Sequence, residues 1–208
     1  MSASDKTVVA AFDFDGSITY RDTMFPFLRH ALDLGAFARG GLRSLPVLAA
    51  YAARLMANDV AKERAFSNFV GGMDADGLRA LGESFAAEVL PRLVRPHALE
   101  RLQWHRDQGH RCVVVSASVD LYLEPWTAAM ELDLLCTRLE VDDQGRVTGR
   151  LATANCYGAE KVRRLEQALG PRDDYVLYAY GDSRGDRELL AAADHAWYRA
   201  MPTTQESV

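Results

Sequence analysis

The stretch VVAAFDFDGSITYRDT, Val8–Thr23, decides how this chain is read. An apolar run ends in two acids one residue apart, Asp13 and Asp15, and a glycine follows. The run predicts a buried strand over Thr7–Asp13, stopped by the Asp-Gly turn. A carboxylate left charged and unpaired at such a strand end costs on the order of several kcal/mol. Some other part of the chain must compensate for it.

Outward from that stretch, no convincing strand occurs between about Tyr20 and Leu90. Apolar spacing predicts helices over Asp22–Phe37, with breaks around Gly35 and Gly40–Gly41, and over Leu42–Ala57, Ala61–Val70 and Ala75–Val89, with Asp74 as N-cap of the last. The pattern then alternates. A helix is expected from Pro96 to Asp107, followed by the strand HRCVVVSAS, whose unbroken apolar run suits the middle of a parallel sheet. Next come a helix over Asp120–Glu131, a strand over Leu134–Val141 and a hairpin turning at Asp142–Gly145. Gly170–Pro171 should stop a helix over Gly158–Leu169. The strand DYVLYAYGD, a helix over Arg184–Ala192 and the short strand HAWYRA complete the order. Alternating strands and helices imply an α/β fold, a doubly wound, mostly parallel, Rossmann-like sheet with right-handed crossovers. The helical block reads as an insertion, so a catalytic core over 1–19 and 92–208 and a helical cap over 20–91 are expected. Residues Pro202–Val208 look disordered.

The chain has 208 residues, 49% of them hydrophobic, enough for a sizeable core. Its net charge is −5 and it has no long basic block, so the electrostatic footprint of a nucleic-acid binder is missing. Cys112, Cys136 and Cys156 are scattered, with no C-x-x-C pair, and read as free thiols in a reducing compartment. MSASDKTVVAAFD has neither the basic nor the long apolar region of a signal peptide. LPVLAAYAARLMA (Leu45–Ala57) is too short to span a bilayer and carries Arg54. A cytoplasmic protein without stable membrane insertion is the expectation.

In open α/β sheets, ligands bind beyond the carboxyl ends of the strands. The polar residues that interrupt the apolar strands fall there: Asp13 and Asp15 after the first, Ser116 after the second, Asp182 and Asp186 after YVLYAYG, with Lys161 at the start of the preceding helix. Singly, each has an ordinary reading as an Asx-turn, a turn hydroxyl, a solvated lysine or a helix cap. Together, in order, they make a cation site with an anion-binding side.

DFDGSIT, VVVSAS, Lys161 in NCYGAEKVRRL, and GDSRGD resemble the four motifs of the haloacid-dehalogenase-like phosphohydrolases. About a hundred residues, nearly all expected helical, separate the first two motifs, as in the helical cap of the phosphoserine-phosphatase-like branch. The resemblance implies a magnesium-dependent phosphomonoesterase acting on a small phosphate ester. It implies that Asp13 is the nucleophile and forms an aspartyl-phosphate. Asp15 would be general acid and then base; residues two apart on an extended chain share a side. Asp13, Asp182 and the Asp15 carbonyl would hold Mg2+, with Asp186 orienting a water on the ion. Ser116, Lys161 and backbone N–H groups near Phe14 and Ala117 would cradle the phosphoryl oxygens. Haloacid dehalogenation needs no metal and no second acid, so Asp15, Asp182 and Asp186 argue against it.

The chain departs from that branch in places. Ser17 stands where Thr is usual and keeps the hydroxyl. Gly185 replaces an Asn before the last acid, and the first motif reads D-F-D-G-S rather than D-x-D-S-T. Asp22 matches an acid that contacts the substrate amine, or is a helix cap; Asn155 before Lys161 is a candidate pocket residue. Arg64 and Lys62 are the nearby candidates for a carboxylate-binding cation. LPVLAAYAARLM is either the core of the cap or a surface for a lipid phosphate of the phosphatidylglycerophosphate type. The alternative outside enzymes is a non-catalytic phospho-aspartate receiver or pseudoenzyme.

Overall fold

The computed structural model describes residues 6–202, so most of the expected disordered tail lies outside the described residues. Five strands form one parallel sheet. They are β1 (Thr7–Phe12), β2 (Arg111–Val119), β3 (Asp133–Thr137), β6 (Tyr175–Gly181) and β7 (His195–Tyr198), in the order β3-β2-β1-β6-β7. Strand order reverses at β1, which places a crevice beyond its carboxyl end. The expected doubly wound α/β core is present.

Alternation along the strands divides the core. Val9, Ala11, Val113, Val115, Leu177 and Ala179 face one layer, with Leu165 of α7 (Ala159–Leu169) and Leu189 of α8 (Arg187–Ala192). Ala10, Phe12, Cys112, Val114 and Tyr180 face the other, with Ala98 and Leu102 of α5 (Pro96–Asp107) and Trp126 of α6 (Asp120–Ala129).

Between β1 and β2 the chain forms α1 (Met24–Ala31), α2 (Leu34–Ala52), α3 (Asn58–Val70) and α4 (Ala75–Glu88). It leaves and re-enters the core at one place. Thr19 and Val94 form an antiparallel bridge, Tyr20 N–H donates to Leu93 O (2.9 Å), and Arg95 N–H donates to Ile18 O (2.9 Å).

Two sequence expectations are corrected here. The expected breaks at Gly35 and Gly40–Gly41 do not occur, because α2 runs through all three glycines. The break falls at Leu32–Asp33, where the Asp33 carboxylate accepts from Ala36 N–H (2.8 Å) and starts α2. Gly40 serves packing instead: a Cβ there would lie 2.4 Å from the Phe69 ring of α3. The strand expected over Leu134–Val141 is also divided. β3 ends at Thr137, and β4 (Leu139–Val141) leaves the sheet to pair with β5 (Val147–Leu151). That hairpin packs on α3 and bridges Arg146 to Asp74, the observed N-cap of α4.

Candidate active site

Asp13 continues the side-chain parity of Val9 and Ala11, so it faces the layer that holds α7. Lys161, in the first turn of α7, reaches it there. Lys161 Nζ donates to Asp13 Oδ1 (2.6 Å) and to Asp186 Oδ1 (2.6 Å). All three side chains are buried. Burial opposes the charge on Lys161, but the two carboxylates outweigh it and its pKa is raised. Burial pushes Asp13 up to about 7, with Lys161 pulling the other way. For Asp186 burial is overcome by Lys161 and by hydrogen bonds, and its pKa is lowered. Its second oxygen accepts from Asp182 N–H (3.2 Å), Ser183 N–H (3.0 Å) and Ser183 Oγ (2.8 Å), which fixes the loop after β6.

Asp182 projects from that loop against the turn after β1. Gly16 there has φ +81°, and a Cβ on it would lie 2.3 Å from Asp182 Oδ2. Only glycine allows both the left-handed backbone and the contact. Carboxylate oxygens of Asp13, Asp182 and Asp186 lie within 4.8 Å of one another.

Asp15 is held on the other side of the turn. Its Oδ1 accepts from Thr23 N–H (2.8 Å) and Thr23 Oγ1 (2.6 Å), and its Oδ2 accepts from Ser118 Oγ. The Tyr122 hydroxyl lies 3.0 Å from Thr23 Oγ1. Burial, then the charge of Asp22, raises Asp15 to about 6 against these hydrogen bonds. Thr23, Ser118 and Tyr122 were not singled out in the sequence. Ser118 had a readable signal, since it lies two residues beyond Ser116 on the same strand.

A cavity of about 400 Å³ opens over these groups. Asp13, Asp15, Asp22, Ser116, Ala117, Lys161 and Asp182 line it. Ser116 is buried, with its Oγ accepting from Ser118 N–H (3.0 Å). Exposed Asp22 lines the cavity and accepts from Met24 N–H (2.9 Å), but the N-cap position of α1 is held by Thr23, so Asp22 braces the turn before the helix. Of the two candidate cations, Lys62 lines the cavity and Arg64 does not. Lys62 Nζ donates to Ala117 O (2.6 Å) and Asn155 Oδ1 (2.9 Å). Burial lowers its pKa to about 8, against the pull of Asp15 and Asp22. Asn155 therefore stands behind Lys62 rather than on the cavity wall. Its Nδ2 donates to Asn58 Oδ1 (2.7 Å), and Asn58 does line the cavity. Ser17 is buried and borders a separate small cavity, and it does not line the one over Asp13 and Lys161. Gly185 lies under the Tyr157 ring, where a Cβ would come within 2.5 Å of Cε2, so an Asn there would displace the tyrosine. Burial raises the Cys156 thiol to about 11, which suits an inert side chain.

The donors fit a hard divalent cation. They are carboxylate oxygens, as magnesium prefers. Asp182 Oδ1 is buried and has no hydrogen-bond partner among the described residues. With all groups ionised, three carboxylates face one ammonium, an excess of two negative charges.

The profile of the haloacid dehalogenase-like hydrolase family matches residues 10–191, which hold every one of these groups. The chain belongs to that family. Protein CicA of Caulobacter vibrioides is 37% identical to it over 193 residues, 92% of this chain and 86% of that protein. A solved protein of unknown function from Bordetella pertussis Tohama I has a TM-score of 0.79 at 25% identity, over 90% of this chain and 87% of the other. A phosphoserine phosphatase solved as a phospho-aspartyl intermediate analogue has a TM-score of 0.60 at 18% identity, over 91% and 84%. The fold is that of the phosphoserine-phosphatase-like branch of the haloacid dehalogenase-like hydrolases, as the motifs implied, and the chain is an enzyme of that family. The receiver alternative is set aside.

Proposed function

We propose that this hydrolase is a magnesium-dependent phosphomonoesterase acting on a small alcohol-derived phosphate, with Asp13 as nucleophile. The observation that supports it most is the pairing of two cavity-lining acids with different partners: buried Asp13 with Lys161, and half-buried Asp15 with Thr23 and Ser118. Asp13, Asp182 and the Asp15 carbonyl would hold the cation, and Asp186, already committed to Lys161 and Ser183, would position the loop. When bound, the cation would supply positive charge against the phosphoryl oxygens and keep Asp13 ionised.

In the first step an Asp13 oxygen forms a bond to phosphorus while the bond to the leaving alcohol breaks. Asp15, near neutrality at a pKa of about 6, gives its proton to that alkoxide. In the second step water attacks the phosphorus, its proton passes to Asp15, and the bond to Asp13 breaks. Lys161 and Ser116 face the transferring phosphoryl group, and its charge spreads over oxygens they can contact. Lys62 and Asp22 border the space left for the rest of the substrate.

Residues 20–91 are proposed to act as the cap, with the β4–β5 hairpin as their support, because α3 carries Asn58 and Lys62 into the cavity. The test is hydrolysis of an aryl phosphate with and without chelator. Activity should fall with chelation, vanish in Asp13→Asn, and drop about 10²–10⁴-fold in Asp15→Asn. Full activity in Asp13→Asn would remove the reading.

A further inference from the structure

The Ser17 hydroxyl takes no part in the chemistry above. Ser17 is 7% exposed, and its Oγ has no hydrogen-bond partner among the described residues. A buried hydroxyl in that state costs stability until something meets it. The small cavity that Ser17 borders measures about 40 Å³, room for about two waters or one small oxyanion. Half-buried Arg95 and His97 and exposed Arg199 also line it, and no acid is among the lining residues. Each of these two arginines commits only Nε, and to a neutral acceptor: Arg95 to Thr19 O (2.9 Å) and Arg199 to Asp182 O (2.8 Å). Their Nη groups remain without a hydrogen-bond partner among the described residues. His97 lies in the first turn of α5, and since Pro96 lacks an N–H, His97 carries the first backbone donor of that helix. One turn further on, Arg101 is 1% exposed, donates from Nε to the hydroxyl of cavity-lining Tyr180 (2.7 Å) and leaves Nη2 unpartnered.

We propose that this cavity binds a free tetrahedral oxyanion, of the class of sulfate and inorganic phosphate. Two guanidinium groups supply charged N–H donors, Ser17 Oγ supplies a neutral one, and the positive end of α5 adds to the field. Offsetting the acids of the larger cavity does not account for these cations. There, Asp13, Asp182 and Asp186 against Lys161 leave an excess of two negative charges, and a bound magnesium ion would cancel it. The arginines would then face a neutral centre and stay uncompensated. Gly16 and Arg95 line both cavities, and Arg199 holds the Asp182 carbonyl, so the two sites share a wall. Opposite charges across it attract, and anion and cation should tighten each other's binding by the same factor. That coupling rests on the magnesium reading above; the anion site itself does not.

The test is a backbone-amide NMR titration of the full chain with sodium sulfate, in chelator, against sodium chloride at equal ionic strength. Saturable shifts are expected at Ser17, His97 and Gly181, with a midpoint of ~1 mM. Arg199→Gln should raise that midpoint about tenfold and Ser17→Ala about threefold. Ser17→Ala should hydrolyse an aryl phosphate as the parent does, and Arg199→Gln should keep the amide signals remote from the cavity, which shows that both fold. Inorganic phosphate should compete, whereas benzenesulfonate, too large for the volume, should not. The signals of Ser116 and Ala117 report separately on any sulfate in the larger cavity. No saturable shift up to ~50 mM, an unchanged midpoint in both variants, or equal competition by benzenesulfonate would overturn the site. With magnesium bound, the sulfate midpoint should fall about threefold. A midpoint that bound magnesium leaves unchanged would overturn the coupling alone. Absence of any magnesium-dependent shift at Asp182 would strike the magnesium reading and leave the anion site standing.

Discussion

Replacing the proposed nucleophile should make the metal-free protein more stable. Asp13 is buried with its pKa at about 7, against 3.8 in an unfolded chain. The folded state thus holds a proton that the unfolded state releases between those values. Stability therefore falls as pH rises from about 4 to about 7, the reverse of the usual carboxylate case. At 1.36 kcal/mol per pH unit the loss is about 4 kcal/mol. Asn has the shape of the protonated acid and can still accept from Lys161, which keeps Asp186. In chelator, Asp13→Asn should match the parent near pH 4 and exceed it by about 4 kcal/mol at pH 8. Urea unfolding followed by the fluorescence of Trp104, Trp126 and Trp197 measures this. Magnesium should then stabilise the parent more than the variant and narrow the gap. A gap that is absent at pH 8, or the same at both pH values, would refute the reasoning.

Three further outcomes are expected. Gly16→Ala, with its Cβ 2.3 Å from Asp182 Oδ2 and a strained φ of +81°, should cost ~1–2 kcal/mol in stability and lower magnesium affinity, read by calorimetric titration. Burial, with Arg101 adding to it, pushes His105 down to about 3, so the folded protein refuses a proton that the unfolded chain takes below pH 6.5. Its stability contribution is whole above pH 6.5 and falls as pH drops toward 3, by up to ~5 kcal/mol, and His105→Gln should flatten that acid branch in unfolding curves measured from pH 7 to 4. Lys62→Met should raise KM for an anionic substrate with kcat nearly kept, and the parent's KM should climb as pH passes about 8; a KM flat from pH 7 to 9 would exclude a binding role for that ammonium.

The sheet and its acids were legible because both depend on local patterns. Buried parallel strands are continuous apolar runs, and β1 and β6 each lead into an acid that lines the crevice, at Phe12–Asp13 and Gly181–Asp182. What the sequence concealed depends on contacts between distant residues. Gly40 looks like a helix stop until the Phe69 ring is found against it. Thr23 looks like the start of a helix until Asp15 is found bonded to it. Lys62 and Arg64 could not be told apart by spacing, since only the seating of α3 decides which one meets Ala117. The break at Arg138 was hidden because Leu134–Val141 alternates well enough for one strand, and the departure comes from Arg138 O accepting from Ala152 N–H (2.9 Å).

The crossing at Thr19 and Val94 has a bearing on how such enzymes diversify. The chain leaves and re-enters the sheet at a single bridged pair of backbone positions, yet the helices between are tied to the core as well: a Cβ at Gly82 of α4 would lie 2.1 Å from Leu121 O of α6, and the Phe27 and Phe85 rings meet Tyr122. A graft made at those two residues must bring its own partner for the β4–β5 ribbon, or carry that ribbon along, because Asp74 and Arg146 join the two pieces.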